Sequence, residues 1–251
     1  MKQSVAMRVW NILYPVFIYY VVTIAAIAIL DLFLPETTDS KLFRQLLTSF
    51  AALPFLYSFY RQDVSARDPK EVKKWNFRTV GIIFVTGGCF AIAWNNLLGL
   101  IHIAEYSRAY KQVETTFYTG RMILEVIALC VVIPVVEELL YRGIVYGRLK
   151  DWLGCRTAIV ASAVIFGLVH MNLVQFVYAA VFGLLLAYFA EVSGNLSGPV
   201  AAHAAANLTS VLRAETGVFG WMDGRTDRMI AGMVLLFGIA GVGVFSLRRK
   251  G

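Results

Sequence analysis

Two adjacent glutamates inside an apolar stretch are the first residues in this sequence whose types and spacing could do chemistry. Glu137 lies five residues before Arg142, and Glu138 lies four residues before it. In a helix, an acid four positions before a cation forms a favourable ion pair, so the sequence predicts that Glu138 pairs with Arg142. Glu137 points about 100° away from Glu138 and has no cation at that spacing. Glu137 is therefore a candidate general base for water, unless both glutamates lie at a helix end and reach interfacial water.

Two histidines follow, each in a separate apolar stretch. Phe166 and His170 are four residues apart, as are His203 and Asn207, so each pair shares a helix face. A lone helical histidine is usually a core residue, but two histidines downstream of paired glutamates favour a shared polar site. The residues around His203 are small, which permits close helix contact: Ala201, Ala202, Ala204, Ala205 and Ala206.

These side chains together could hydrolyse a peptide bond. Glu137 would take a proton from water that His170 helps to hold. His203 and Asn207 would donate hydrogen bonds to the developing oxyanion, each donor contributing about 10²- to 10³-fold in rate. A zinc ion bound by Glu137, His170 and His203 is the alternative, because three protein ligands and one open position are typical of catalytic zinc. The spacing of the residues leaves both mechanisms open.

The composition predicts that membrane-spanning helices position these residues. Of the 251 residues, 59% are hydrophobic and 16% are charged, and the mean hydropathy is +0.67. Soluble domains carry about 25% charged residues, so most of this chain is expected to lie in a lipid bilayer. In such a protein the net charge of +7 orients the chain, and we therefore exclude a nucleic-acid-binding role.

The fold class predicted is an all-α polytopic bundle of about eight transmembrane helices, forming a single membrane domain over residues 1–251. Residues 122–212 would form a four-helix catalytic core that carries all the candidate residues. The predicted spans are Val9–Leu34, Leu42–Tyr60, Thr79–His102, Met122–Tyr141, Thr157–His170, Leu173–Ala190, Pro199–Leu212 and Met229–Leu247.

The distribution of lysine and arginine predicts the orientation, because cytoplasmic loops are enriched in these residues. With the N-terminus inside, 15 of the 23 fall in cytoplasmic segments, Arg142 among them. Both termini are therefore predicted to be cytoplasmic. We expect the site to lie near mid-depth, with water entering from the cytoplasm, the fifth helix stopping at His170, and Met171 and Asn172 forming a buried turn.

Four other polar residues have simpler interpretations. His102 is expected at the membrane interface, and Glu125 is expected to extend towards the outer headgroups. Asn95 and Asn96 lie within a predicted span, where they need hydrogen-bond partners. They would line a substrate cavity or bond to neighbouring helices.

The ordered set of motifs resembles the CAAX prenyl protease type II group, also called the CPBP or abortive-infection family. The motifs are Glu137-Glu138-x-x-x-Arg142, Phe166-x-x-x-His170 and His203-x-x-x-Asn207, within a matching stretch over residues 131–212. The resemblance implies a helical membrane endopeptidase with water as nucleophile and Glu137, His170, His203 and Asn207 in the site. Glu138, Arg142 and Phe166 would support them. Both zinc-dependent and metal-independent mechanisms have been considered for this family.

The expected function is hydrolysis of a membrane-embedded or lipidated, CAAX-like peptide or protein within the bilayer, with either no cofactor or Zn²⁺. The expected location is a bacterial plasma membrane. Eukaryotic members remove a C-terminal tripeptide from prenylated proteins, whereas many bacterial members are linked to bacteriocin immunity, peptide maturation or surface-protein processing. The alternatives are a non-catalytic immunity or scaffold protein of the same fold, and a transporter in which buried Glu and His relay protons.

Overall fold

Eight helices and no strand make up the residues that this computed structural model describes, namely 4–35, 37–67, 76–103, 118 and 121–248. Each predicted span corresponds to one helix, so the all-α prediction is confirmed. The helices are α1 (Val5–Leu30), α2 (Thr38–Ala66), α3 (Phe77–Leu100), α4 (residues 122–153), α5 (Cys155–Leu168), α6 (Leu173–Ser193), α7 (Ser197–Thr216) and α8 (Thr226–Arg248).

Four of these helices are long and apolar enough to cross a membrane by length and composition, namely α1, α3, α6 and α8. The shorter α5 is also apolar. These helices fit an all-α membrane bundle, while the number of eight crossings stays a prediction. Side-chain caps set the first turn of several helices: Asn76 accepts from the Thr79 amide before α3, and Asn172 accepts from the Gln175 amide before α6.

Helix α4 differs from its prediction in length and in winding. It continues to Leu153 rather than ending near Tyr141, so Glu137 lies midway along it, about 22 Å from either end. Two sections, Val126–Val132 and Leu139–Tyr146, are wound as π-helix. Pro134 lies just after the first section and has no amide hydrogen, which breaks the regular ladder there. The interpretation that the glutamates sit at a helix end is therefore wrong.

Ion pairs between helices mark one end of the bundle, which we call the basic end. Here Arg148 of α4 pairs with Asp63 of α2 at 2.8 Å, and Lys150 pairs with Glu191 of α6 at 2.7 Å. The helices α1, α3, α5 and α7 start at this end, and α2, α4, α6 and α8 finish there. At the opposite end, which we call the far end, Arg44 contacts Asp31 at 2.7 Å.

Close helix contacts hold the second half of the chain together. A Cβ atom at Gly87 of α3 would lie 2.7 Å from the Cα of Ala202 on α7, so only glycine allows this approach. Gly167 of α5 likewise faces Ala180 of α6 at 2.9 Å. Close contacts of this kind hold α5, α6 and α7 together beside α4. The three motifs lie on or next to these helices.

Candidate active site

A buried ion pair forms the base of the site. Arg142 Nη1 donates to Glu138 Oε1 at 3.0 Å, and both side chains are fully buried. Nη2 of Arg142 donates to the Gly183 carbonyl at 3.3 Å, and its guanidinium lies 4.3 Å from the centre of the Phe166 ring. The pairing predicted from the four-residue spacing is therefore present. The Arg142 side chain also contacts α5 through Phe166 and α6 through Gly183, so three helices depend on one buried cation.

His203 is oriented by the same carboxylate. Its Nδ1 lies 2.7 Å from Glu138 Oε1, and because the carboxylate accepts, Nδ1 donates. The other nitrogen, Nε2, lies 3.8 Å from Glu137 Oε2. A carboxylate that holds one nitrogen of a histidine fixes both the ring plane and the function of the other nitrogen.

Glu137 differs from Glu138 in its surroundings. Its side chain is 22% exposed, and its contact within ion-pair distance is the His203 imidazole rather than a guanidinium. Tyr19 and Tyr20 of α1 lie close enough to interact with its charge. The prediction that the two glutamates have different environments agrees with this geometry.

His170 lies just beyond the last residue of α5. The ring of His170 packs edge-on against Phe166 with 5.1 Å between centroids, and Phe166 also contacts His203 at 6.0 Å. His170 Nδ1 is 2.8 Å from the Phe166 carbonyl, which can only accept, so Nδ1 donates and Nε2 is left to accept. Phe166 thus separates and orients both imidazoles.

Asn207 follows His203 by one turn of α7 and is tied to α4. Its Nδ2 donates to the Leu129 carbonyl at 2.6 Å. In an i to i+5 pattern this carbonyl would pair with the amide of residue 134, which is proline and has no hydrogen to give. The Asn207 amide supplies a donor there and keeps a second N–H. The sequence did not reveal this contact, because the winding of α4 decides it.

A cavity of about 730 Å³ begins at these residues. Phe166, His170, His203 and Asn207 line its inner part, and Glu137 lies beside it through its contact with His203. Its apolar wall includes Leu98, Val174, Tyr178, Phe182 and Met229. Helices α3, α6 and α8 therefore complete a cavity that begins at the candidate residues on α4, on α7 and just beyond α5.

The cavity also contains polar residues that the sequence analysis did not identify. Arg213, Asp223 and Gln175 line it towards the far end. Arg213 pairs with Asp223 and also donates to Asn96 Oδ1 at 3.1 Å. Asn95 lines the cavity, which is the first of the two alternatives predicted for this pair. Asn96 is buried and bonds to a neighbouring helix, which is the second alternative.

Three expectations about neighbouring residues are wrong. Glu125 is fully buried, rather than extending to the headgroups. Met171 is 90% exposed, so the turn after His170 is not buried. Arg142 was counted among the cytoplasmic loop residues, yet its side chain is completely buried within the bundle. Burial at these positions depends on which helices pack against them, and periodicity along one helix does not show that. His102 lies two residues after the end of α3, where it has a left-handed backbone (φ 54°) and an exposed side chain.

The predicted zinc ligands do not fit a metal site in this arrangement. Among the residues that the structure describes, no group of three His, Cys, Asp or Glu side chains could hold a metal ion. Nδ1 of each histidine is engaged in a hydrogen bond, to Glu138 and to the Phe166 carbonyl, which leaves Nε2 of each and the Glu137 carboxylate as the possible ligands. Zinc would need all three within about 2.0–2.2 Å of one point, and the described residues contain no such group.

The segment that carries this geometry also matches a known family. Residues 119–209 match the model of the Rce1-like family, described as type II CAAX prenyl endopeptidase Rce1-like. The resemblance to CAAX-type proteases is confirmed over this segment. The match includes the three motifs and the helices α4, α5 and α6 in full. No curated protein and no solved structure matches the chain.

The match of this segment to the Rce1-like model has two consequences. The family is one of membrane proteases, which supports peptide-bond hydrolysis at the level of the family. The apolar helices agree with an integral membrane location and a membrane-associated substrate. The substrate, the role of each residue and the orientation in the bilayer go beyond what the family match gives.

Proposed function

We propose that this protein is a metal-independent intramembrane endopeptidase that uses Glu137 to activate water. The observation that carries the proposal is the buried chain Arg142–Glu138–His203–Glu137, with links of 3.0, 2.7 and 3.8 Å. It leaves one carboxylate beside the catalytic imidazole while the other is occupied by a guanidinium. The lipid bilayer and an embedded or lipidated, CAAX-like peptide are its partners, and nucleic acid is not.

The first step adds water to the peptide carbonyl. The attacking water gives a proton to Glu137 and a hydrogen bond to His170 Nε2, which is free to accept because Nδ1 donates to the Phe166 carbonyl. With both hydrogens directed at acceptors, the oxygen presents a lone pair to the carbonyl carbon. The new C–O bond turns the carbonyl oxygen into an oxyanion.

Donors on α7 stabilise this oxyanion. The second N–H of Asn207 is free for it, and His203 donates through Nε2 when that nitrogen is protonated. Glu138 stabilises the charged imidazole, as Arg142 stabilises Glu138. The proton on Glu137 then moves to the nitrogen of the leaving amine. The C–N bond breaks, and one new carboxyl end and one new amino end result.

The deciding experiment uses Glu137→Gln in the purified full-length protein. The protein is reconstituted in liposomes with a library of membrane-inserted peptides, including C-terminally prenylated ones, and the products are identified by mass spectrometry. We expect Glu137→Gln to lower the cleavage rate about 10²- to 10⁴-fold, as is typical of losing a general base. Glu215→Gln on α7, outside the cavity, is the matched control and should cleave at the native rate.

Two results would contradict the proposal. Cleavage by Glu137→Gln at the native rate would remove its role as base. Specific peptide binding by the native protein without any cleavage product would instead favour the non-catalytic immunity or scaffold function.

A further inference from the structure

The cavity extends from the catalytic residues to the far end of the bundle. Beyond His170 its walls include Gly99 near the end of α3, Gln175 at the start of α6 and Ala214 near the end of α7. Asp223 and Gly224, in the connection between α7 and α8, complete this outer part. Ala214 and Gly224 are both exposed, so the cavity reaches the surface where these helices begin or end.

Packed side chains fill the opposite direction. From the ion pair of Glu138 and Arg142 towards the basic end, every residue of Leu139–Tyr146 is buried. Leu186 and Phe189 of α6, which pack in the same core, are fully buried as well. A substrate approaching from the basic end would have to displace this core.

Charge distribution indicates which side of the membrane each end faces. In the sequence, removing the buried Arg142 leaves fourteen lysines and arginines in the segments predicted to be cytoplasmic, against eight in the other segments. Arg148 and Lys150, which lie at the basic end, belong to the larger group. Since cytoplasmic segments are the ones enriched in Lys and Arg, the basic end is assigned to the cytoplasm.

We propose that the cavity opens on the non-cytoplasmic side, so that the substrate is a peptide segment presented from outside the cell or from the outer leaflet. This inference deepens the proposed function and rests on it. It replaces the expectation that water enters from the cytoplasm, because the cavity leads to the end with fewer basic residues.

The cavity lining indicates the kind of segment that fits. Leu98, Tyr178 and Met229 offer apolar surface for hydrophobic side chains, whereas Arg213, Asp223 and Gln175 can bond to exposed backbone or to a chain end nearer the surface. A peptide that is apolar where it is cut and polar where it leaves the membrane matches this order. The outward-facing end of a membrane-inserted or secreted peptide has this character.

Cysteine labelling tests the side of opening without using catalysis. Ala214→Cys places a thiol in the outer cavity, and Met171→Cys places one on the exposed turn beside His170. Ser65→Cys, exposed near the end of α2, is the control at the basic end. The native chain, with Cys89, Cys130 and Cys155, gives the background. A membrane-impermeant maleimide is applied to intact cells and to inside-out vesicles.

We expect Ala214→Cys and Met171→Cys to label at least tenfold more in intact cells than in inside-out vesicles, and Ser65→Cys to show the reverse. The opposite pattern would overturn the inference. The same pattern in the Glu137→Gln background shows that the labelling does not depend on activity.

A second arm follows cleavage of an added amphipathic peptide. Cleavage should occur with intact cells and be lost in cells that carry Glu137→Gln. Cleavage confined to inside-out vesicles would overturn the inference and leave the protease intact. Outward labelling together with no cleavage of any peptide from either side would instead count against the proposed function.

Discussion

Nδ1 of His203 lies 2.7 Å from the same Glu138 oxygen that accepts a hydrogen bond from Arg142 at 3.0 Å. The second glutamate of the pair therefore holds a histidine of α7 and an arginine of its own helix at once. Its neighbour Glu137 remains partly exposed beside the other nitrogen of that histidine. We therefore expect a structural function for Glu138 and a catalytic function for Glu137, and this difference can be measured.

Glu138→Gln should destabilise the protein more than Glu137→Gln does. Removing one partner of a buried ion pair leaves the Arg142 charge uncompensated, which costs about 3–5 kcal/mol. Glu137 has no guanidinium partner, so its replacement should change the free energy of unfolding by less than about 1 kcal/mol. Thermal unfolding of both variants in the same detergent is the measurement. Equal stability of the two would show that the ion pair is not structural.

Asn207→Ala should reduce turnover by about 10²- to 10³-fold while substrate binding changes little, because the amide acts on the oxyanion rather than on the bound substrate. The loss should appear in kcat rather than in KM. Thr209→Ser, two residues along on α7, is the control, since its hydroxyl can still bond to the Ala206 carbonyl and the residue lies outside the cavity. A normal kcat for Asn207→Ala would exclude this oxyanion donor.

Gly87→Ala should separate α3 from α7. Its Cβ would lie 2.7 Å from the Ala202 backbone, and overpacking of this kind costs about 1–3 kcal/mol. Gly81→Ala on the same helix has nothing within 4 Å and should stabilise the protein by about 0.5–1 kcal/mol. Unfolding temperatures of the two variants should therefore shift in opposite directions. A stable Gly87→Ala protein would mean that the two helices are farther apart than the structure shows.

Cleavage should survive treatment with a strong chelator such as 1,10-phenanthroline. Among the described residues, Glu137, His170 and His203 do not form a group that could hold a metal ion, and no step of the proposed mechanism uses one. The measurement is the cleavage rate before and after exhaustive chelation, with added zinc as a second condition. Loss of activity on chelation that zinc restores would show that the site rearranges to bind metal.

The sequence by itself determined several features of this protein. Long apolar stretches require helices in lipid, because backbone amides there must be satisfied within one segment. The four-residue spacing of Glu138 and Arg142 predicted an ion pair on one helix face, and that pair is present. The ordered motifs also identified the family that residues 119–209 match. Each of these follows from local geometry, which the order of residues fixes.

Only the tertiary structure decided which of these groups meet and where the cavity leads. The contact between His203 and Glu138 joins residues 65 positions apart, and the burial of Glu125 and Arg142 depends on the helices packed around α4. The bond from Asn207 to the Leu129 carbonyl depends on how α4 winds around Pro134. Helical periodicity gives the direction of a side chain around its own axis. The helix that faces it is set by packing across the whole bundle.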